Sequence, residues 1–388
     1  MRILFAADVM PDPDSGAAGT EWQTIQALRR QGHEVDEIWA TDLGRRIRHG
    51  NLHYLLELPG AYRRVIGEYC RRNSYDVIHA NQGHCYQAAR ENRRLQRQSV
   101  FVCRSHGLDD YADSLLSPWR QELGIRARHG AKRLVGGILD GLLHRHDRLA
   151  YRYADGILIS SSGEERYLLH QRGIPGERIG RVPQAPADQF VATPAPLMDD
   201  QRRFRMLHVG GFAYWKGVHA VASMANDLLH RWDRARLTWV CRGEDHARVR
   251  QMLTPTALEK VELLDWMPQS ALVDIYDKHG IFLCPSLFEG FGKVFLEAMA
   301  RGLCVIGTPV GGMPDIIEEG ISGMLVDFHS PVAMSEKIKW LWEHAERADS
   351  MAVTAAAIAR GYSWDRVGHE VVTFYERLIE ARKMRRQD

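Results

Sequence analysis

Along the whole chain, short uninterrupted apolar runs alternate with stretches whose apolar residues recur every three or four positions. That alternation predicts parallel strands buried on both faces and joined by covering helices. In the first half Ile3–Ala7, Val77–His79, Val100–Cys103 and Gly156–Ser160 read as strands. In the second half Met206–Val209, Leu237–Cys241, Ile281–Cys284, Leu303–Ile306 and Met324–Val326 do the same. Between them, Ala185–Asp200 holds three prolines, three aspartates and no helical period, and reads as a linker. The expectation is α/β: two doubly wound, Rossmann-like domains, 1–190 and 191–365, facing each other across a cleft, with ligands at the carboxyl ends of the strands. A last helix, about Trp364–Lys383, carries Val367, Val371, Phe374 and Leu378 at the spacing of one buried face. The pattern leaves open which domain takes this helix (366–388 in the domain reading), a return to the first being one option.

A length of 388 residues agrees with two domains, each with a core of its own. No apolar run reaches the roughly 18–20 residues of a membrane span. Met1–Met10 begins like the apolar part of a leader, but Asp8 interrupts it and no small-residue cleavage site follows, so it reads as a first buried strand. The six cysteines (Cys70, Cys85, Cys103, Cys241, Cys284, Cys304) form no CxxC pair, and four lie in apolar runs. Buried thiols in a reducing cytoplasm are expected rather than zinc or disulfides.

The net charge of +2 hides an asymmetry, since residues 1–190 carry 27 Lys and Arg against 23 Asp and Glu. The excess gathers in Arg120–Arg148, where seven basic residues meet three acidic ones and His129, His144 and His146 add charge at lower pH. Few aromatics interleave there and no nucleic-acid module is recognisable, so nucleic acid is not an expected partner. Leu134, Ile138, Leu142 and Leu143 between the charges fit either a core-packed helix with an arginine rim or a face that meets anionic lipid.

Three segments carry candidate chemistry. After the first strand, Asp12–Glu21 forms a small-residue loop, followed by a helix from Thr20 with Trp22, Ile25 and Leu28 on one face; such a loop lets backbone N–H groups approach an anion. Its Asp12-Pro-Asp14 looks like a metal-binding DxD, but the proline makes a surface turn the expectation. At the start of the second domain, Met206–Val209 runs into Gly210–Gly217, where Lys216 stands ready to neutralise a phosphate unless it is an ordinary surface lysine. The third segment, Pro285–Gly302, is a glycine-bearing loop followed by a short, almost wholly apolar helix holding Glu297. A carboxylate buried there needs hydrogen-bond partners, either ligand hydroxyls or an unseen Arg or Lys.

Glu289 and Glu297 make an E-x7-E pair inside "SLFEGFGKVFLEAMARGLCVIGTPVGGMPDII". This resembles the signature of the retaining nucleotide-sugar glycosyltransferases of family four, which have the two-domain GT-B fold. The resemblance spans almost the whole chain: "GAAGTEWQTIQALRRQGHEV", "YDVIHAN", "VFVCRSHG", "YADGILISSS", "VGGFAYWKG", "VELLDWMP" and "ISGMLVDF" are similar to family segments in the same order. It implies that Glu297 binds the donor ribose, that Glu289 and Phe291, Gly292, Lys293 and Val294 hold the donor sugar and diphosphate, and that Lys216 stabilises the leaving diphosphate with help from Gly19. His106 would lie near the reacting sugar, and backbone near Met267 would read the base. No metal or other cofactor is implied, the nucleotide-sugar being a co-substrate, and proton transfer to the donor phosphate on the attacked face would leave no side chain to act as nucleophile.

Two departures qualify the resemblance. Gly211 stands where the family usually has an arginine, removing one of two diphosphate-neutralising cations; Arg242 and Lys293 are candidate substitutes. "RVPQAPADQF" lacks the asparagine and glycine common at the family's interdomain turn. The leading expectation is a hexose-type transfer from a UDP- or GDP-sugar to a hydroxyl acceptor (a sugar, lipid-linked sugar or small molecule), in polysaccharide, glycolipid or glycoconjugate synthesis, in the cytoplasm or peripherally at the inner face of the membrane. A non-catalytic GT-B scaffold partnering an active transferase is the alternative. A phosphorylase or a sugar-nucleotide epimerase would share the fold, but the E-x7-E context speaks against both.

Overall fold

The computed structural model describes residues 1–123, 125, 131–328 and 331–384. They form two compact units, one of Met1–Gln184 together with the chain from Trp364 onward, the other of Ala185–Ser363. The first holds β1 (Arg2–Ala6), β2 (Glu34–Ile38), β3 (Val77–Asn81), β4 (Val100–Arg104), β5 (Gly156–Ile159) and β6 (Ile179–Arg181). The second holds β7 (Arg205–Val209), β8 (Arg236–Val240), β9 (Val261–Leu264), β10 (Ile281–Cys284), β11 (Cys304–Gly307) and β12 (Met324–Leu325). Both sheets are parallel, in the orders β2-β1-β3-β4-β5-β6 and β12-β11-β10-β7-β8-β9. The order therefore reverses between β1 and β3 in one sheet and between β7 and β10 in the other. Such reversals open a crevice at the carboxyl ends of the strands.

Alternation along the strands feeds a core on each side of the second sheet. Met206, Leu237, Trp239, Ile281, Leu283 and Ile306 belong to one apolar cluster, whereas Leu207, Val240, Phe282 and Val305 belong to the other. Three strands lacked an apolar run in the sequence: β2, β6 and β9. All three are sheet edges, half covered, so each alternates polar with apolar residues or is too short to read.

The stretch expected as a linker, Ala185–Asp200, belongs to the second unit. Phe190 is buried edge-on against Tyr276, with ring centroids 5.2 Å apart. Arg301, itself buried, pairs with Asp277 at 2.6 and 2.8 Å and donates to the carbonyls of Phe190, Thr193 and Pro194. Arg202 donates to those of Pro196 and Leu197. Backbone without a helical period is thus satisfied by two guanidinium groups, one just past the stretch and one far along the chain.

The last helix, Trp364–Met384, packs on the first unit. Val367, Val371, Phe374 and Leu378 are all buried. Arg30 pairs with Asp365 at 2.7 Å, and the Tyr375 hydroxyl hydrogen-bonds His79. A Cβ on Gly180 would stand 2.8 Å from the Phe374 ring, so the helix comes this close only over glycine.

The basic stretch Arg120–Arg148 lies partly outside the described residues, which removes Arg126, Arg128 and His129, and the side chains of Lys132, Arg133 and Leu134, from account. In the helix Ala131–Tyr153, Ile138 and Leu142 are 55% and 37% exposed, so these two are not core-packed. Among the described residues no helix is long and apolar enough to cross a membrane.

Candidate active site

In the second unit, β7 leads into the turn Tyr214–Lys216 and then Gly217, whose φ is +72°. A Cβ there would lie 1.9 Å from the Pro285 carbonyl oxygen, so glycine alone lets the loop after β7 press on the loop after β10. The Leu287 N–H donates to the Trp215 carbonyl at 2.7 Å and closes the contact. The Lys216 ammonium consequently bridges both carboxylate oxygens of Glu289, at 2.7 and 2.9 Å. Ser286 donates to Glu289 Oε1 at 2.7 Å. Burial works against the Lys216 charge, but the Glu289 carboxylate outweighs it and raises the ammonium above its ordinary value. The pair stands charged at the reversal of the sheet, where an anionic ligand has a cation to meet.

Gly292, at φ +91°, caps the helix Lys293–Ala300, and the buried Phe291 accepts the Gly312 N–H at 2.8 Å. Val294 is half-buried, whereas Lys293 and Glu297 are buried. Glu297 Oε1 has no hydrogen-bond partner among the described residues. Burial pushes the Glu297 carboxyl up, against the opposing charge of Lys293. An unsatisfied buried oxygen is costly, and ligand hydroxyls would relieve it.

Two further expected positions flank this centre. Met267 is half-buried after β9, in a loop that Asp265 ties to the loop after β8 by accepting the Gly243 and Trp266 N–H groups at 2.7 Å. Arg242 lies after β8 with its side chain 73% exposed and 3.7 Å from Glu244, so it is not drawn to the Lys216–Glu289 pair. Sequence reasoning passed over His208 as one polar residue in an apolar strand. Its Nδ1–H donates to the Leu283 carbonyl at 2.9 Å, tying β7 to β10 beside the pair, and burial pushes its pKa down to about 4.

In the first unit, the helix expected from Thr20 begins at Ala17, because two alanines extend it backwards. The Thr20 hydroxyl turns back to the Gly16 carbonyl at 2.9 Å, and Gly19 sits within the first turn. The buried stripe also differs: Trp22 is half-buried, while Glu21, Thr24, Ile25 and Leu28 are buried. Asp12 accepts the Asp14 N–H at 3.0 Å, closing an exposed turn.

Glu21 is fully buried and hydrogen-bonds His106 Nε2 through Oε1. Its Oε2 faces Arg104 Nη1 at 3.5 Å, and Arg104 also donates to Thr24 at 3.0 Å. Burial would raise the Glu21 carboxyl, but Arg104 and His106 overcome it and hold it at about 2. Asp8, just past β1, is pushed up to about 6 by burial. Nothing in the sequence marks Glu21, because a glutamate in a helix's first turn reads as a partner for the helix dipole.

Comparison with known proteins places this architecture. The model described as Glycosyltransferase Family 4 matches residues 15–185, and the one described as Glycosyl transferases group 1 matches residues 203–344. The D-inositol 3-phosphate glycosyltransferase of Corynebacterium glutamicum is 30% identical over 243 residues, 58% of each chain. The match thus spans just over half the length of that relative. Among solved structures, sucrose-phosphate synthase from Thermosynechococcus elongatus superimposes with a TM-score of 0.73 at 19% identity, covering 98% of this chain and 100% of that one. Anabaena Alr3699/HepE in complex with UDP does so with a TM-score of 0.68 at 17% identity, covering 96% and 99%. The fold is the two-domain α/β GT-B class, and glycosyltransferase family models match both units in order along the chain, the Family 4 model over the first and the group 1 model over the second.

Proposed function

We propose that this chain moves a hexose-type sugar from a nucleoside diphosphate donor, a UDP- or GDP-sugar, to a hydroxyl acceptor with retention at the anomeric carbon. The observation that carries the reading is the Lys216–Glu289 ion pair at the reversal of the second sheet, followed along the chain by a helix whose buried Glu297 has an unsatisfied Oε1. In this reading Lys216 neutralises the leaving diphosphate and Glu297 accepts ribose hydroxyls. Phe291–Val294 line the diphosphate with backbone N–H groups, and the donor phosphate takes the acceptor's proton, with no metal in the step. His106 and Gly19 serve the reacting sugar and diphosphate from the first unit. The UDP held by Anabaena HepE, and the inositol phosphate in the corynebacterial relative's name, support a uridine donor and a polyol acceptor.

The test is a thermal-shift panel of UDP, GDP, ADP and their sugar conjugates. A ligand at 100 times its Kd adds about 2.7 kcal/mol, enough to move the transition by a few degrees. The expected result is a shift with one nucleotide series, lost in Glu297→Ala and in Lys216→Ala. Absence of any shift leaves the scaffold reading, which Gly211 motivates. Donor turnover by the isolated chain removes that reading.

Exposed Ile138 and Leu142, with Arg145 one turn on, support peripheral docking on an anionic membrane that holds a lipid-linked acceptor. Sedimentation with anionic vesicles, and its loss in Ile138→Asp, checks this.

A further inference from the structure

The reading above brings His106 to the reacting sugar but leaves open which ring nitrogen meets it. Glu21 decides this. The carboxylate has no exposed surface, and its two oxygens face different partners: Oε2 the guanidinium of Arg104, Oε1 the Nε2 of His106. A carboxylate that is ionised and faced by a guanidinium has no hydrogen to give, so the hydrogen in the Glu21–His106 bond belongs to Nε2. Asn81 Nδ2 stands 3.5 Å from the same nitrogen, too far to compete. The other nitrogen, Nδ1, is buried and has no hydrogen-bond partner among the described residues. Arg104 is anchored in turn by Thr24, itself bonded to the Thr20 carbonyl at 2.7 Å, so the first helix holds the whole set in place.

We propose that Glu21 is a positioning residue that fixes His106 as the Nε2–H tautomer, leaving Nδ1 as an acceptor for a hydroxyl of the bound sugar. The inference rests on the proposed place of His106 at that sugar. It specifies the chemistry recognised: a hydroxyl that donates, rather than a carbonyl, ether or phosphate oxygen that only accepts. A sugar whose hydroxyl is replaced by fluorine or a methyl ether at that position gives Nδ1 nothing to accept.

Substitution of Glu21 by glutamine makes the assignment testable, because a carboxamide cannot serve both neighbours as acceptor. Arg104 can only donate, so the amide oxygen must face it and the NH2 group must face His106. The ring then has to accept at Nε2 and carry its hydrogen on Nδ1, the opposite tautomer.

The experiment is nitrogen NMR of the full chain labelled in its histidines, with the His106 ring identified by its disappearance in His106→Gln. The expected result is the Nε2–H tautomer in the native chain and the Nδ1–H tautomer in Glu21→Gln. The kcat of Glu21→Gln should fall about 10- to 100-fold, the scale at which losing the group that orients an imidazole is felt, with the donor KM nearly unchanged. An Nδ1–H or doubly protonated ring in the native chain overturns the proposal, and this measurement needs no substitution of Glu21. Normal turnover by Glu21→Gln overturns it equally. Normal turnover by His106→Gln, with the native tautomer as expected, instead removes His106 from the sugar and so locates the failure in the underlying reading.

Discussion

Gly211 is the one position near Lys216 where the family pattern asks for a cation and this chain has none. A Cβ built there meets nothing within 4 Å, so the space for a side chain is open. Gly211→Arg should therefore fold normally and tighten nucleoside diphosphate binding by up to about 1.5–3 kcal/mol, read by calorimetry. His279 offers a different single-residue prediction. Its Nδ1–H donates to the Ile275 carbonyl, its Nε2 accepts from Thr238 at 2.8 Å, and burial holds its pKa down at about 4. A histidine buried neutral contributes stability that is complete above its ordinary value near 6.5 and is lost as pH falls toward 4. Relative to His279→Gln, the native chain should lose about 1.4 kcal/mol per pH unit across that window, measured by urea unfolding. At this scale Lys216, Glu289 and Glu297 stand out in the sequence as charged residues in glycine-rich or apolar surroundings. Glu21 and Arg104 do not, since their burial comes from packing between a helix and a strand far away in sequence.

Among the elements, central strands announced themselves, and of the four edges only β12 did. β1, β3, β4, β7, β8 and β10 are covered on both faces and read as apolar runs; β2, β6 and β9 each have a neighbour on one side only. The stretch from Ala185 to Asp200 misled for a related reason. Its order comes from Arg202, just beyond the stretch, and from Arg301, about a hundred residues on, donors that an apolar pattern does not record. Arg301→Leu should thus cost about 3 kcal/mol, by leaving carbonyls and Asp277 without their donor, and should loosen this stretch first. Hydrogen exchange at Phe190–Leu197 rising ahead of the β7–β10 pair would bear that out.

For the whole molecule, two domains followed from length and from the repeated alternation of runs, whereas the destination of the last helix did not. An amphipathic face records that a helix is covered without recording by what, and here the cover is the first unit. A chain stopped before Trp364 should lose the unfolding transition of the first unit while the second still unfolds cooperatively and still gains stability from nucleotide, resolved by calorimetry. The same topology sets a timetable during synthesis. The first unit begins emerging from the ribosome before the second yet cannot be finished until after it, because its final helix is translated only when Ala185–Ser363 is already complete. At about 5–20 residues per second the first unit's sheet waits roughly 10–40 s for this cover. Over that interval His79 and the groove floored by Gly156 on β5 and Gly180 on β6 lack the helix that covers them, a natural place for a chaperone to hold.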